Sequence, residues 1–138
     1  MTILVPEISP AECWACLRDD PACLLVDVRT DAEWAYVGLP DLDSLGKPLL
    51  RVCWQIFPAM TVNPAFEDQL RAQGATPEHT LLMLCRSGVR SKKAAELLLE
   101  RGFKDCRNVT DGFEGQLDEA KHRGKGGWKS LGLPWKQG

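Results

Sequence analysis

LLMLCRSGVRS, residues 81–91, is the most informative stretch of the sequence. Four apolar residues run directly into Cys85, a polar loop follows, and residues 91–99 have the composition of a helix. Buried strands that pass through a loop into a helix are typical of α/β sheets, whose sites lie at the carboxyl ends of the strands. We therefore expect Cys85 to lie at that edge of a sheet.

The loop after this strand has a composition that favours a charged sulfur atom. Backbone N–H groups and the positive end of a helix dipole stabilise anions, and the thiolate of Cys85 is an anion. Gly88 can adopt a positive φ, which lets several amides turn toward the sulfur. Arg86 and Arg90 add positive charge that would also attract an anionic substrate. The alternative is a small buried apolar residue, but the two arginines favour a reactive Cys85.

Length and charge narrow the class of protein. The sequence has 138 residues, which predicts one domain over residues 1–138. The net charge is −2 at pH 7 and there is no long basic run, so we expect no nucleic-acid partner. No apolar stretch approaches the length of a membrane span, so we expect no membrane partner. The first residues lack the basic start of a signal peptide, which favours a cytoplasmic location.

The cysteines raise the question of disulfides and metal sites. They stand at positions 13, 16, 23, 53, 85 and 106. Without a secretory signal, reduced thiols are expected. Cys13 and Cys16 form a C-x-x-C pair, which can indicate a redox pair or half of a zinc site. There is no second such pair, and Cys13, Trp14 and Leu17 have helical spacing, so we expect core packing and no metal.

Two helix starts are recognisable in the first third of the chain. Ser9 stands three residues before Glu12, a spacing typical of a capping box. Thr30 or Asp31 is expected to cap a second, short helix. A short strand or an extended entry is expected at residues 3–5.

The strand pattern predicts the fold class. Residues 23–28 are a nearly continuous apolar run, typical of a strand that is covered on both faces. Asp27 and Arg29 stand at its carboxyl end, so parallel strands would bring them to the same edge as Cys85. Strands alternate with helices along the chain, which predicts a mainly parallel central sheet flanked by helices.

The second half of the chain continues this alternation. Residues 80–84 are the predicted strand before Cys85, and residues 104–109 are expected to be the last strand. Asn63 is expected to cap a helix that runs to Gly74. Trp128 is expected to help anchor the glycine-rich tail, together with Trp135.

Residues 47–64 are the least regular part of the sequence. Pro48 restricts any strand there to an edge or to a late start. Trp54, Phe57, Pro58 and Met60 form an apolar stretch without clear periodicity. This stretch is either part of the core or the wall of a pocket.

Three motifs stand in a fixed order along the chain. They are LLVDVR at 24–29 followed by EW at 33–34 and a glycine at 38, then CRSGVRS at 85–91, then GF at 102–103, NV at 108–109 and DGF at 111–113. Together they resemble the signatures of the rhodanese-like sulfurtransferases, and residues 85–91 are similar to the six-residue active-site loop of that family.

The sequence also departs from the family pattern. Gly38 is followed by Leu-Pro where the family commonly has His-Ile, and Asp111 stands where it commonly has a glycine. Residues 47–64 exceed what the smallest members need. These departures concern the substrate and the shape of the pocket more than the chemistry.

The resemblance implies a three-layer α/β rhodanese-like fold and covalent sulfur transfer. Cys85 would take a sulfane sulfur from a small anionic donor such as thiosulfate, and a thiol, a protein thiol or cyanide would accept it. No metal or organic cofactor is implied. The active loop would consist of Cys85 and the six residues that follow it, which are Arg86, Ser87, Gly88, Val89, Arg90 and Ser91.

The charged residues have implied roles of two kinds. The amides of the loop would hold the negative charge of the persulfide, and Arg86 and Arg90 would hold the anionic donor. For Arg90 the alternative is a salt bridge that shapes the loop. Asp27 and Arg29 resemble structural residues that support the edge of the site.

Three other functions fit parts of this pattern. A cysteine phosphatase or arsenate reductase spaces its cysteine and arginine with five residues between them, whereas four separate Cys85 from Arg90, and the smaller loop suits a sulfur atom better than a phosphate. A cysteine–histidine hydrolase would need His79 or His122 as its base. A persulfide carrier or protein-docking module with little small-molecule turnover is the main alternative, and the Trp54 segment would favour it if exposed beside the loop.

Overall fold

The computed structural model describes residues 4–56, 59, 61–117 and 123–137. Its elements, in chain order, are β1 (Glu7–Ile8), α1 (Pro10–Asp19), β2 (Cys23–Asp27), α2 (Asp31–Tyr36), β3 (Leu39–Pro40), a 3-10 turn (Asp43–Leu45), β4 (Leu49–Arg51), β5 (Gln55–Ile56), β6 (Thr61–Val62), α3 (Phe66–Ala72), β7 (Thr80–Leu84), α4 (Val89–Glu100), β8 (Asp105–Val109), β9 (Gln116–Leu117), β10 (Arg123–Lys125) and β11 (Trp135–Lys136).

Five of these strands form the central sheet, in the order β1-β8-β7-β2-β4. Every neighbouring pair is parallel, and helices connect the strands, which confirms the predicted fold class. Asp27 is in register with Leu84, and the Val28 N–H donates to the Leu84 carbonyl at 2.8 Å. The ends of β2 and β7 therefore meet at one edge of the sheet, as predicted for the position of Cys85.

Two apolar clusters cover the two faces of this sheet. In β7, Leu81 and Met83 pack in the cluster that contains Phe66 of α3. Leu82 and Leu84 pack in the other, which contains Trp128. All four β7 side chains are fully buried, and burial on both faces is the reason why this strand is a continuous apolar run.

The predicted capping box at Ser9 is confirmed, and so is a cap at the start of the second helix. The Ser9 and Glu12 side chains each accept a hydrogen bond from the other residue's backbone at the start of α1. Thr30, rather than Asp31, is the N-cap of α2, and Glu33 completes its box. Each box satisfies N–H groups that the first turn of a helix leaves unpaired.

Of the two alternatives for residues 3–5, a strand or an extended entry, the strand is not found at residues 4 and 5, which are the two that the structure describes. The first strand is β1, which pairs with Asn108 and Val109 of β8. Residue 3 lies outside the described residues. The first strand therefore lies at residues 7–8 because it pairs with an open sheet edge, and local apolar content does not determine its position.

Asn63 is not the N-cap of a helix, since α3 begins at Phe66 and has no side-chain cap. The Asn63 carboxamide oxygen accepts the Ala65 N–H at 3.0 Å, and its nitrogen donates to the Cys53 carbonyl at 3.0 Å. The side chain joins the turn before α3 to the segment after β4. A tertiary contact therefore replaces the predicted cap.

The predicted strand at residues 104–109 is confirmed as β8 (Asp105–Val109), but it is not the last strand, because three short strands follow it. The tail is anchored as expected. Trp128 is fully buried and packs edge-on against Trp14 at 5.8 Å between ring centroids. Trp135 packs edge-on against Phe113, and β11 pairs with β3.

Trp54 belongs to the core, because it is buried and packs edge-on against Phe66 at 5.2 Å between centroids. Phe57, Pro58 and Met60 lie outside the described residues. Cys13 and Leu17 are buried in the core, as their spacing predicts. Within the described ranges, no helix is long and apolar enough to cross a membrane.

Candidate active site

Cys85 lies immediately after β7, at the carboxyl end of the central sheet, and is 1 % exposed. Its Sγ accepts a hydrogen bond from the Gly88 N–H at 3.1 Å, and the Ser91 Oγ lies 3.2 Å from the same sulfur. The loop therefore folds back over the cysteine. Gly88 has a φ of +109°, which confirms the predicted positive φ, and α4 begins at the next residue.

Three loop residues face outward from this turn. Arg86 is half-exposed and forms an ion pair with Glu114 at 3.2 Å. Val89 is largely exposed at the start of α4. Ser87 lines a cleft of about 560 Å³ together with Gly88, Val89 and Asn108. The positive charge of Arg86 thus lies at the surface of the loop, with an acidic partner beside it.

Arg90 is held by an acidic partner from the first half of the chain. Its Nη1 and Nη2 donate to the two carboxylate oxygens of Glu33 at 2.6 and 2.8 Å. Burial alone would raise the pKa of the Glu33 carboxyl, but the hydrogen bonds and charge of Arg90 outweigh it and lower that pKa. The same hydrogen bonds raise the pKa of Arg90. Of the two predicted roles, the geometry therefore favours the salt bridge that shapes the loop.

Replacing Glu33 by glutamine should lower the free energy of unfolding by about 1–2 kcal/mol at pH 7, because a hydrogen-bonded ion pair loses its charge. Glutamine keeps the capping box of α2. The pKa of Glu33 is lowered in the folded state, so the stabilisation is present above about pH 4.3 and is lost as the pH falls through the folded value. The free energies of unfolding of the parent protein and the variant should therefore approach each other as the pH falls, and urea unfolding between pH 3 and pH 7 measures this.

The matched control for this change is Glu67→Gln, which removes the more exposed ion pairs of Glu67 with Arg71 in α3 and with Arg101. It should cost about 0.5 kcal/mol or less. Equal losses for the two variants, or a Glu33→Gln loss that is the same at pH 3 and pH 7, would contradict the assigned ion pair.

Asp27 and Arg29 form a fully buried ion pair beside the loop. The Arg29 Nε and Nη2 donate to the two Asp27 carboxylate oxygens at 2.9 and 2.7 Å. The Arg29 Nη2 also donates to the Gly38 carbonyl at 2.8 Å, and the guanidinium lies 4.3 Å from the centre of the Phe113 ring. The pair therefore joins β2 to the segments on both sides of the site, which is the supporting position expected for it.

A second backbone segment lies directly against the loop. The Phe113 N–H donates to the Cys85 carbonyl at 2.8 Å, and the Glu114 N–H donates to the Arg86 carbonyl at 3.0 Å. A Cβ atom at Gly112 would lie 2.5 Å from the Cys85 carbonyl oxygen. The sequence predicts the turn at these residues but not this contact, and the glycine of the family signature was the signal that could have indicated it.

Replacing Gly112 by alanine should therefore destabilise the protein by about 1–3 kcal/mol more than the same change at Gly132. Both glycines have positive φ values, +57° and +77°, so both variants bear a similar backbone strain. Gly132 has no atom within 4 Å of the added Cβ position, whereas Gly112 meets backbone atoms of Cys85 and Arg86. Urea unfolding measures the difference, and equal losses would show that the loop yields to the methyl group.

The other cysteines differ from Cys85 in their surroundings. Cys13, Cys23 and Cys106 are buried, and burial raises the pKa of Cys23 to about 11 and of Cys106 to about 12. Burial also raises the pKa of Cys13. Cys53 is partly exposed and follows β4, so it lies at the same edge of the sheet as Cys85.

The histidines are not placed beside the sulfur by the described structure. The His79 Nδ1 accepts the Thr76 N–H at 3.0 Å just before β7, at the end of the strand opposite Cys85. His122 lies outside the described residues. Within the described ranges, no group of three or more His, Cys, Asp or Glu side chains is arranged to hold a metal ion.

The family model described as the STR4 middle domain matches residues 7–138. The chain belongs to this family. The crystal structure of Rv0390 from M. tuberculosis is similar over 99 % of this chain and 100 % of that one, with 45 % identity and a TM-score of 0.89. The uncharacterized RP600 homolog of Rickettsia rickettsii is 37 % identical over 132 residues, which are 95 % of this chain and 97 % of that protein.

A more distant structure gives the fold its name. The rhodanese-like domain protein of Staphylococcus aureus matches 97 % of this chain and 99 % of its own, with 21 % identity and a TM-score of 0.62. At this identity the similarity establishes the fold alone. The chain therefore has a rhodanese-like α/β fold.

Proposed function

We propose that this protein is a sulfurtransferase that moves a sulfane sulfur from a small anionic donor, such as thiosulfate, to a thiol or cyanide acceptor through a persulfide at Cys85. The observation that supports this most directly is the Gly88 N–H hydrogen bond to Sγ at the start of α4. A backbone donor and a helix N-terminus together stabilise negative charge on sulfur.

The proposed reaction has two half-reactions that balance without an external oxidant. The Cys85 thiolate attacks the sulfane sulfur of thiosulfate, the sulfur–sulfur bond of the donor breaks, and sulfite leaves with its electron pair. The thiolate of an acceptor, or cyanide, then attacks the terminal sulfur of the persulfide. The Cys85 thiolate leaves, and the product is a persulfide or thiocyanate. Such a sequence predicts ping-pong kinetics.

The charged residues divide between substrate binding and support. Arg86, half-exposed at the loop, is the proposed contact for the anionic donor, since its ion pair with Glu114 is open to solvent on the arginine side. Arg90 is proposed to hold the loop through Glu33, and Asp27 with Arg29 to support the sheet edge beneath it. The proposal retains a single domain over residues 1–138 and a cytoplasmic location, both of which rest on the sequence.

The intact mass of the purified protein, before and after thiosulfate and then after cyanide, tests the proposal. We expect a gain of one sulfur atom, mapped to Cys85 by peptide mass and removed by cyanide. No gain together with hydrolysis of an aryl phosphate would indicate a phosphatase instead. If neither sulfur transfer nor phosphate hydrolysis is observed, the protein is a docking module without this chemistry.

A persulfide carrier that serves a protein thiol is the second candidate. Ile56 and Val62 are exposed apolar residues on the hairpin that follows β4, and Ile56 lines a cavity of about 630 Å³ together with Cys53. Exposed apolar side chains of this kind suit a protein surface better than thiosulfate. Slow turnover with cyanide, but fast transfer from the persulfide to a protein thiol, would favour the carrier.

A further inference from the structure

Asn108 of β8 lies behind the loop and is 2 % exposed. Its Oδ1 lies 2.5 Å from the Ser91 Oγ, and its Nδ2 donates to the Gly88 carbonyl at 3.0 Å. Among the described residues, the Ser91 hydroxyl and the Gly88 amide lie within hydrogen-bond distance of Sγ of Cys85. Asn108 therefore touches both partners of the proposed nucleophile without touching the sulfur.

The Ser91 hydroxyl has two neighbours but a single hydrogen. Its oxygen lies 2.5 Å from the Asn108 Oδ1 and 3.2 Å from Sγ. Two oxygen atoms at 2.5 Å need a hydrogen between them, and a carboxamide oxygen has none to give. The Ser91 hydrogen therefore points to Asn108. The lone pairs of the Ser91 oxygen are left for Cys85, so the hydroxyl accepts a hydrogen bond from the thiol.

The opposite orientation of the Asn108 carboxamide would reverse this assignment, because an Nδ2 facing Ser91 would free the hydroxyl to donate to sulfur. That orientation would place Oδ1 at 3.0 Å from the Gly88 carbonyl oxygen and 3.4 Å from the Glu7 carboxylate. Both contacts would join acceptors with no hydrogen between them. Gly88 and Glu7 therefore fix the nitrogen on their side and Oδ1 on the side of Ser91.

We propose that Asn108 is a positioning residue that keeps the Ser91 hydroxyl as an acceptor toward Cys85 and so favours an uncharged Sγ. Sγ is uncharged in the protonated thiol, which can donate to this hydroxyl, and also in the persulfide, where Sγ has no hydrogen and the negative charge lies on the terminal sulfur. In the free thiolate, Sγ bears the charge and receives the Gly88 N–H but not the Ser91 hydrogen. Asn108 thus favours the sulfur-loaded state over the bare thiolate, an inference that rests on the proposed function.

Other charged groups also face this cluster. They are Arg86 with Glu114, Arg90 with Glu33, Asp27 with Arg29 of β2, Glu7 of β1, and Asp111 and Lys92 in the cleft next to Gly88. All of them are retained when Ser91 or Asn108 is replaced by an uncharged residue. A comparison of such variants with the parent protein therefore isolates the hydroxyl and the carboxamide.

The test is the pH dependence of Cys85 alkylation by iodoacetamide, followed by peptide mass in the full chain. It needs no sulfur donor, so its outcome is independent of whether sulfur transfer is found. The midpoint pH is the pH at which the alkylation rate reaches half of its maximum. Ser91→Ala removes an acceptor, so this midpoint should stay the same or fall. Asn108→Leu should lower the midpoint by about one pH unit, because the freed hydroxyl then donates to the thiolate. Adding Ser91→Ala to Asn108→Leu should reverse that fall.

A rise of about half a pH unit or more in Ser91→Ala alone would overturn the proposal, since it would show that Ser91 donates to the thiolate in the parent protein. An Asn108→Leu variant that folds without a lower midpoint would overturn it as well. If Asn108→Leu does not fold, Ser91→Ala alone decides. An unchanged or lower midpoint supports the proposal, and a higher midpoint overturns it. Ser130→Ala is the control, because the Ser130 hydroxyl donates to Gly127 and should leave the midpoint unchanged.

Discussion

Replacing Cys85 by serine is expected to lower thiosulfate–cyanide sulfur transfer by a factor on the order of 10³ or more, as is typical when a covalent nucleophile is removed. A serine hydroxyl is not ionised at neutral pH and forms no persulfide. Serine retains the size of the side chain under Gly88 and Ser91, so the fold should be kept. Steady-state turnover measures the loss of sulfur transfer, and the intact mass after thiosulfate measures the loss of the persulfide.

The matched control is Cys53→Ser. Cys53 is a partly exposed thiol at the same edge of the sheet, so it is the cysteine best placed to substitute for Cys85. We expect its replacement to leave turnover within about twofold, as for a surface change away from the chemistry. Turnover that survives Cys85→Ser but disappears in Cys53→Ser would move the persulfide to Cys53 and contradict the proposed site.

Replacing Arg29 by methionine is expected to lower the free energy of unfolding by about 3–5 kcal/mol, because it leaves the Asp27 carboxylate buried without its partner. Both side chains are 0 % exposed, and methionine fills most of the space of the arginine stem. The variant also loses the hydrogen bond to the Gly38 carbonyl and the contact with the Phe113 ring. Urea unfolding monitored by tryptophan fluorescence measures the loss.

Arg18→Met is the control for this change. Arg18 forms an ion pair with Asp19 on the surface of α1, where both side chains are more than half exposed. Exposed pairs of this kind contribute little, so we expect a change within the range of ordinary surface substitutions. A loss below about 1 kcal/mol in Arg29→Met would show that water or a shifted side chain relieves the charge of Asp27.

Local sequence signals predict most of the fold, because they act over a few residues. Each capping box has its partner three positions away, and the apolar runs before Asp27 and Cys85 reflect strands that are covered on both faces. The positive φ of Gly88 follows from the need to turn the loop back over the cysteine. Each of these features depends on one helix, strand or loop alone, so the sequence of that element is enough to predict it.

The contacts that shape the candidate site join residues that are far apart in the chain. Arg90 and Glu33 are 57 positions apart, so sequence reasoning left the arginine with two roles and could not name its partner. Asn108 had significance only as part of a family motif, and its contact with Ser91 depends on β8 passing behind the loop. The position of β1 likewise depends on the edge of β8 and not on local apolar content.

The order of the chain gives the candidate site a place in time during protein synthesis. The loop carbonyls of Cys85 and Arg86 are bound by the turn that contains Phe113, and the Lys129 N–H in turn donates to the Phe113 carbonyl at 3.0 Å. This backing is complete only once Lys129 has emerged from the exit tunnel of the ribosome. In a nascent chain, Cys85 therefore precedes the backbone segments that hold its loop.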